Sequence, residues 1–235
     1  MKELKQQVRL RRDELLMIPA FETGFFLFGE IIIWFLLRSG DKAEMYNLGS
    51  LVLAASTCFL LISMGAAMLP LCFNISISMG STRRHMIPAY YLITFAECIS
   101  AAAYAYLLSN LEMWILQTCF DGYKITLITG PLFQIKYILP AALAIVALHT
   151  LFGSLYLKFG TPALIIFWIL LISSFNIVPH VISALRRYHH TAWGRALLEF
   201  FNNITEFRLL ILLYACSAVI LLISWLMLRR QQVRI

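Results

Sequence analysis

The stretch GSLVLAASTCFLLISMGAAMLPL, residues 49–71, carries no charged side chain. As a helix rising about 1.5 Å per residue, it is long enough to cross a hydrocarbon core of roughly 30 Å. It is followed by FNISISMGSTRRHMIPAYY, residues 73–91, which is polar and doubly basic. These residues predict a membrane-spanning helix that ends in a short basic connection.

The composition of the whole chain indicates that its solvent is lipid. Hydrophobic residues make up 61% of the 235 residues and charged residues 13%, against about 25% charged residues in soluble domains. A soluble fold could not cover its surface with so few polar side chains. The net charge of +7 comes from basic residues beside the apolar runs, so we interpret them as contacts with membrane lipids and expect no nucleic acid partner.

Six apolar windows are long enough to span, and they predict an all-α integral membrane protein with one transmembrane domain over residues 1–235. No small-residue cleavage pattern follows the first window, so we expect it to stay as a span. An even number of spans puts both termini on one side. With that side cytosolic, eleven of the 19 Lys and Arg residues are cytosolic, as the positive-inside rule favours. The windows are 17–37, 49–71, 87–107, 137–157, 161–181 and 209–228.

Two segments outside the windows show helical periodicity. Residues 1–16 place Leu4, Val8 and Leu15 near one face, which is typical either of an interfacial amphipathic helix or of a partly disordered basic tail. Residues 192–204 predict a short amphipathic external helix before the last span. The external segment around it is basic and could anchor to lipid phosphate or receive an anionic headgroup; its arginines include Arg186, Arg187 and Arg195.

Two carboxylates fall inside predicted spans, Glu30 in the first and Glu97 in the third. A charge at mid-bilayer costs at least about 2.5–3.5 kcal/mol on insertion scales, so the presence of each glutamate inside a span requires an explanation. One interpretation places them in a polar pathway or at an interface with a second subunit. The other is a protonated carboxyl hydrogen-bonded between helices, or one paired with His149 or Lys136.

Sequence signatures of catalysis are missing. The chain has no HExxH, no GxSxG and no P-loop, and its five cysteines form no CxxC pair. His149 and His180 could be imagined as haem ligands, but no second motif accompanies them. We therefore expect no enzyme site, metal or cofactor on this chain, and a partner would have to handle any ATP.

The basic connection carries a motif. Gly80, Ser81, Thr82, Arg83 and Arg84 follow the second predicted span. With a basic N-terminal segment and six spans, this arrangement resembles the small bacterial permease subunits of type 2 ATP-binding-cassette (ABC) exporters. Aromatic residues often follow the arginines in that family, whereas His85-Met86-Ile87-Pro88 follows here.

The resemblance implies a permease in a bacterial cell membrane that pairs with a second copy or a similar permease. It implies that Gly80–Arg84 couple the spans to separate ATPase subunits, which bind ATP and Mg and drive efflux of a peptide, lipid-like or amphipathic substrate. Small residues such as Gly65 would allow close helix approach. Two alternatives stay open: the substrate-binding membrane component of an importer, and a membrane enzyme or haem subunit.

Overall fold

The computed structural model describes residues 2–38, 45–119, 125–126, 134–170, 172–173 and 205–231. Apart from short turns and helix ends, these residues are helical or belong to two parallel two-residue strands, β1 (Met45–Tyr46) and β2 (Ile125–Thr126). The helices are α1 (Lys2–Leu10), α2 (Arg12–Arg38), α3 (Leu48–Ser78), α4 (Arg83–Cys119), α5 (Ile135–Phe159), α6 (Thr161–Leu170) and α7 (Glu206–Arg230).

Five of these helices are long and apolar enough to cross a membrane: α2, α3, α4, α5 and α7. They match five of the six predicted windows. The remaining window, 161–181, begins with α6, whose described part is shorter than a span requires. Most of the rest of that window lies outside the described residues, so a sixth span stays a prediction.

All five long helices exceed their windows, and α3 and α4 do so by the most. α3 has 31 residues and α4 has 37, which gives lengths of roughly 46 and 55 Å at about 1.5 Å per residue. Both therefore extend beyond a hydrocarbon core of about 30 Å. The third window ended at residue 107 because polar residues follow, but Asn110 and Glu112 continue the helix without difficulty, since neither residue breaks helical structure.

The helix α1 and the last turn of α7 lie at the same end of the bundle. Ser81, in the connection between α3 and α4, donates to Gln6 of α1 at 3.0 Å, and Arg83 donates to the backbone oxygen of Arg229 in α7 at 3.2 Å. We call this the basic end, because its cations are Lys5, Arg9, Arg12, Arg83, Arg84, Lys158, Arg229 and Arg230.

The apolar core runs along the bundle in three clusters. The cluster nearest the basic end joins α3 and α4 to Leu228 of α7. The middle cluster joins Ile18 of α2 to α3, α4 and α5. The third packs Phe26 of α2 against α3 and α4. Each cluster draws on at least three helices, so the core fixes the order of the bundle along its whole length.

Glycines bring α3 and α5 close together. A Cβ built at Gly65 would lie 2.8 Å from the backbone carbon of His149, and one at Gly153 would lie 2.8 Å from Cδ2 of Leu69. Neither position has room for a side chain. Small residues of this kind let transmembrane backbones approach and gain dispersion energy; for Gly65 the neighbouring helix is α5 of the same chain.

We expect Gly65→Val to lower the thermal unfolding midpoint of the purified protein in detergent, because forcing atoms into a packed contact costs about 1–3 kcal/mol. Gly24→Val is the matched control. It makes the same change within a helix, but a Cβ at Gly24 meets no atom within 4 Å. Equal losses in both variants would show that helix propensity, and not the α3–α5 contact, sets the effect.

Candidate functional site

A buried polar cluster lies inside the bundle near the basic end, centred on Arg11. This arginine sits in the turn between α1 and α2, and its side chain is 2% exposed. Gln7, one helical turn earlier, is also buried and donates to Ser76 of α3 at 2.7 Å. Residues 7, 11 and 14 share one helical face, and the fold turns that polar face inward while Val8 stays exposed.

The guanidinium of Arg11 is held by partners on two elements. It forms an ion pair with Glu97 of α4 and another with Glu14 of α2, at 2.9 Å between Nε and Oε2. It also donates to the hydroxyl of Thr94 at 2.7 Å. Its carbon lies 4.8 Å from the centre of the Tyr90 ring. Polar contacts with three side chains and the face of one aromatic ring therefore fix the position of the guanidinium.

The charge of this arginine is balanced by its neighbours. Burial alone would lower the pKa of Arg11, but neighbouring Tyr90, Glu97 and Glu14 raise it above the ordinary value. The cation faces two carboxyl groups that are buried with it. Burying charges is tolerated when they are paired in this way, and removing one partner leaves the other strongly destabilised.

The cluster continues through Tyr90 to α5 and α3. The hydroxyl of Tyr90 lies 2.7 Å from Nε2 of His149, and Nδ1 of His149 lies 2.5 Å from the backbone oxygen of Leu61. A carbonyl only accepts, so Nδ1 of His149 carries the proton and Nε2 accepts from Tyr90. Both ring nitrogens already have protein partners, which disfavours the haem-ligand interpretation of His149.

Glu30 lies at the opposite end of the bundle, in a second polar group. Glu112 of α4 accepts from the backbone nitrogens of Gly49 and Ser50 at 2.9 and 2.8 Å, and from the Ser50 hydroxyl. It thereby caps the N-terminus of α3, whose first N–H groups have no partner within the helix. Glu30 of α2 lies beside Glu112: a Cβ built at Gly49 would meet Oε1 of Glu30 and lie 3.1 Å from Oε1 of Glu112.

The structure does not bring Glu30 and Glu97 together. Glu97 and Glu112 are roughly 22 Å apart along α4 at about 1.5 Å per residue, and Glu30 is beside Glu112. Nor does either glutamate pair as the sequence suggested. Glu97 binds Arg11, while Lys136 pairs with Glu206 at 2.5 Å.

The Gly80–Arg84 segment lies at the basic end. Gly80 has a φ of +82°, and the Ser81 nitrogen donates to the Ser76 oxygen at 2.9 Å while the Gly80 nitrogen donates to Ile77 at 3.0 Å. This is the hydrogen-bond pattern of a Schellman helix end, which favours glycine because it needs a left-handed residue. Thr82 then precedes α4, with its hydroxyl 2.9 Å from Nδ1 of His85.

Several predicted features lie outside the described residues and stay predictions. They are His180, most of the external segment 182–208, the amphipathic helix at 192–204, and Arg186, Arg187 and Arg195.

Comparison with known proteins found no matching family model, no matching curated protein and no matching solved structure. The class of protein therefore follows from the fold alone. Several long apolar helices around a buried polar cluster define a helical multi-pass membrane protein.

Sequence reasoning identified Glu97 but missed its partner. Arg11 is one of several basic residues before the first span and does not stand out by itself, although Gln7, Arg11 and Glu14 stand at helical spacing. A polar stripe with that spacing, directly before an apolar span, could have predicted a face that binds inside the bundle.

We expect Arg11→Met to destabilise the protein by about 3–5 kcal/mol, because it leaves Glu97 and Glu14 buried without their cation. The double variant Arg11→Met with Glu97→Leu should recover much of that loss. Unfolding of the purified protein in detergent, followed by intrinsic fluorescence, measures both.

Arg12→Met is the control for the loss of one positive charge. Arg12 is exposed and lies 3.4 Å from exposed Asp13, so its removal should change stability by no more than about 0.5 kcal/mol. Similar losses for Arg11→Met and Arg12→Met, or no recovery in the double variant, would contradict the ion-pair assignment.

Proposed function

We propose that this chain is the membrane-spanning permease subunit of an ABC exporter in a bacterial cell membrane. Separate ATPase subunits bind ATP and Mg, and their movement drives efflux of a peptide, lipid-like or amphipathic molecule. The observation that carries the proposal is the Gly80–Arg84 segment, which connects two spans at the basic end and packs against both α1 and α7.

The placement of charge in this segment favours an acidic partner. Arg83, Arg84 and His85 occupy the first turn of α4, which contains no acidic residue. The N-terminus of a helix carries partial positive charge, so each cation there costs about 0.3–1 kcal/mol. An acidic or carbonyl-rich surface of an ATPase would offset that cost through charge-assisted hydrogen bonds.

The same segment is connected to the interior of the bundle. Ser81 and Met79 both contact Gln6 of α1, and α1 leads directly into Arg11, whose ion pair reaches α4. From there Tyr90 contacts α5. A displacement of the Gly80–Arg84 segment would therefore reach several spans through polar contacts, as coupling to an ATPase requires.

A second copy or a similar permease completes the proposed assembly. α7 is the least buried of the five long helices, with 11% of its apolar window inside the described bundle, compared with 50% for α5. Its exposed apolar side chains, such as Leu212 and Val219, leave a face for lipid or for a neighbouring subunit.

The proposal predicts that Arg83→Glu with Arg84→Glu abolishes co-purification with the partner ATPase, identified among the ABC ATPases of the same organism by its binding to the unaltered chain, when the two are co-expressed and one is tagged. Like charges at the contact would repel, and lost charge-assisted hydrogen bonds cost about 1.5–3 kcal/mol each. Membrane insertion of the variant, checked by its level in washed membranes, should be unchanged.

Lys158→Glu with Arg230→Glu provides the matched control, since it reverses the same number of charges at the same end of the bundle. The ATPase should remain bound to this variant. Loss of the ATPase from both double variants would point to a general electrostatic effect, and unaltered assembly and ATP-driven transport in the Arg83 and Arg84 variant would overturn the coupling role.

Orientation supplies a separate prediction. In intact cells a membrane-impermeant maleimide should label Ile135→Cys, at the end opposite the basic end, where Ile135 is 83% exposed. Ser81→Cys should react only after the membrane is opened. The reverse result would place the basic end outside the cell and remove the basis for ATPase docking there.

A further inference from the structure

A cavity of about 220 Å³ lies between α3, α4 and α5. On the α4 side its wall is made by Ala101, Ala102 and Ala105, whose short side chains leave the space open. Most of the lining is apolar, so the cavity suits a hydrocarbon chain better than a cluster of water molecules. Its size is equivalent to roughly seven waters at about 30 Å³ each.

One hydroxyl in the wall has no partner. Thr57 of α3 lines the cavity and is 6% exposed, and its Oγ1 makes no hydrogen bond to any described residue. A buried hydroxyl left without a partner costs about 1–3 kcal/mol. The hydroxyl is thus a polar group that a molecule in the cavity could satisfy.

An unpartnered carboxyl lies directly behind this hydroxyl. Glu22 of α2 is fully buried beside Thr57, and neither of its carboxyl oxygens makes a hydrogen bond of normal geometry. The nearest buried cation on the same segment, Arg11, is roughly 16 Å away along the helix and is held by Glu97 and Glu14.

We propose that this cavity binds an amphipathic primary amine. The ammonium group donates to Oγ1 of Thr57, the Thr57 hydroxyl proton turns toward the carboxylate of Glu22, and the alkyl chain fills the space beside Ala101, Ala102 and Ala105. A hydroxyl can accept one hydrogen bond while donating another, so Thr57 links the cation to the carboxylate.

The chemistry favours a cation over a neutral amphipath. A neutral alcohol could satisfy Thr57 but would leave an ionised Glu22 buried with no counter-charge, whereas an ammonium group supplies both a donor and a positive charge. This assignment does not depend on the exporter proposal, because it concerns binding and not transport or ATPase docking.

The test is photolabelling of the purified full chain in phosphatidylcholine nanodiscs. Two probes of equal length are compared, an alkylamine and an alkyl alcohol that both carry a diazirine, and mass spectrometry locates the labelled peptides. The amine probe should label α3 and α4 around the cavity, and unlabelled octylamine should compete with it. Thr57→Val and Glu22→Gln should each reduce amine labelling about tenfold, as expected for a lost hydrogen bond to a charged group. Glu22→Gln should leave alcohol labelling unchanged, whereas Thr57→Val should reduce alcohol labelling less than it reduces amine labelling.

A pair of neighbouring alanines tests the location. Ala102 lines the cavity, while adjacent Ala103 does not and is exposed, so Ala102→Phe should block labelling and Ala103→Phe should not. This pair and Thr57→Val keep the test decisive even if Glu22→Gln fails to fold.

Three outcomes would overturn the proposal. The first is equal labelling by amine and alcohol that Glu22→Gln and Thr57→Val leave unchanged, which would mean that the cavity holds neutral chains. The second is amine labelling that octylamine does not compete with. The third is equal labelling of the Ala102→Phe and Ala103→Phe variants.

Discussion

The buried ion pair between Arg11 and Glu97 fixes the arrangement of the basic end. Bringing an unpaired charge out of water costs several kcal/mol, so each member is tolerable only where the other can reach it. Because Arg11 stands in the turn between α1 and α2, this requirement fixes the start of the first span against the middle of α4. Glu14 and Thr94 occupy other sides of the same guanidinium, so a shift by one helical turn would lose several bonds together.

Close packing of α3 on α5 extends this constraint across the bundle. Gly65 lets the backbone of α3 reach the backbone of α5 at His149, and only at such a distance can Nδ1 of His149 bond to the Leu61 oxygen. His149 then presents Nε2 to Tyr90, whose ring lies under Arg11. The close contact at Gly65 thus determines the polar contacts that His149 and Tyr90 make. These contacts link the N-terminal segment to α3 by way of α4 and α5.

Local features of the sequence predicted what depends on local physics. Apolar length identified five long helices because the bilayer sets that length, and the glycine at position 80 marked the end of α3 because a Schellman end needs a left-handed residue. The pairing of Arg11 with Glu97 could not be predicted in this way, because the two residues are far apart along the chain and no local rule selects one carboxylate among several. The extension of α4 to Cys119 was missed for a related reason: polar residues that include Glu112 follow the third apolar window, although Glu112 continues the helix and caps another one.

The carboxyl groups within the spans differ in the hydrogen bonds and ion pairs that their oxygens make. That difference distinguishes carboxyl groups with a structural role from those available for a functional one. Glu112 accepts from three donors at the start of α3, which explains its burial fully. Glu97 has a cation on one oxygen. Glu22 has neither a cation nor a well-formed hydrogen bond, although it is fully buried. Glu22 is a buried carboxyl group without a well-formed hydrogen bond among the described residues, and it lies beside a hydroxyl in a cavity wall. That position makes it a candidate for contact with whatever the cavity receives.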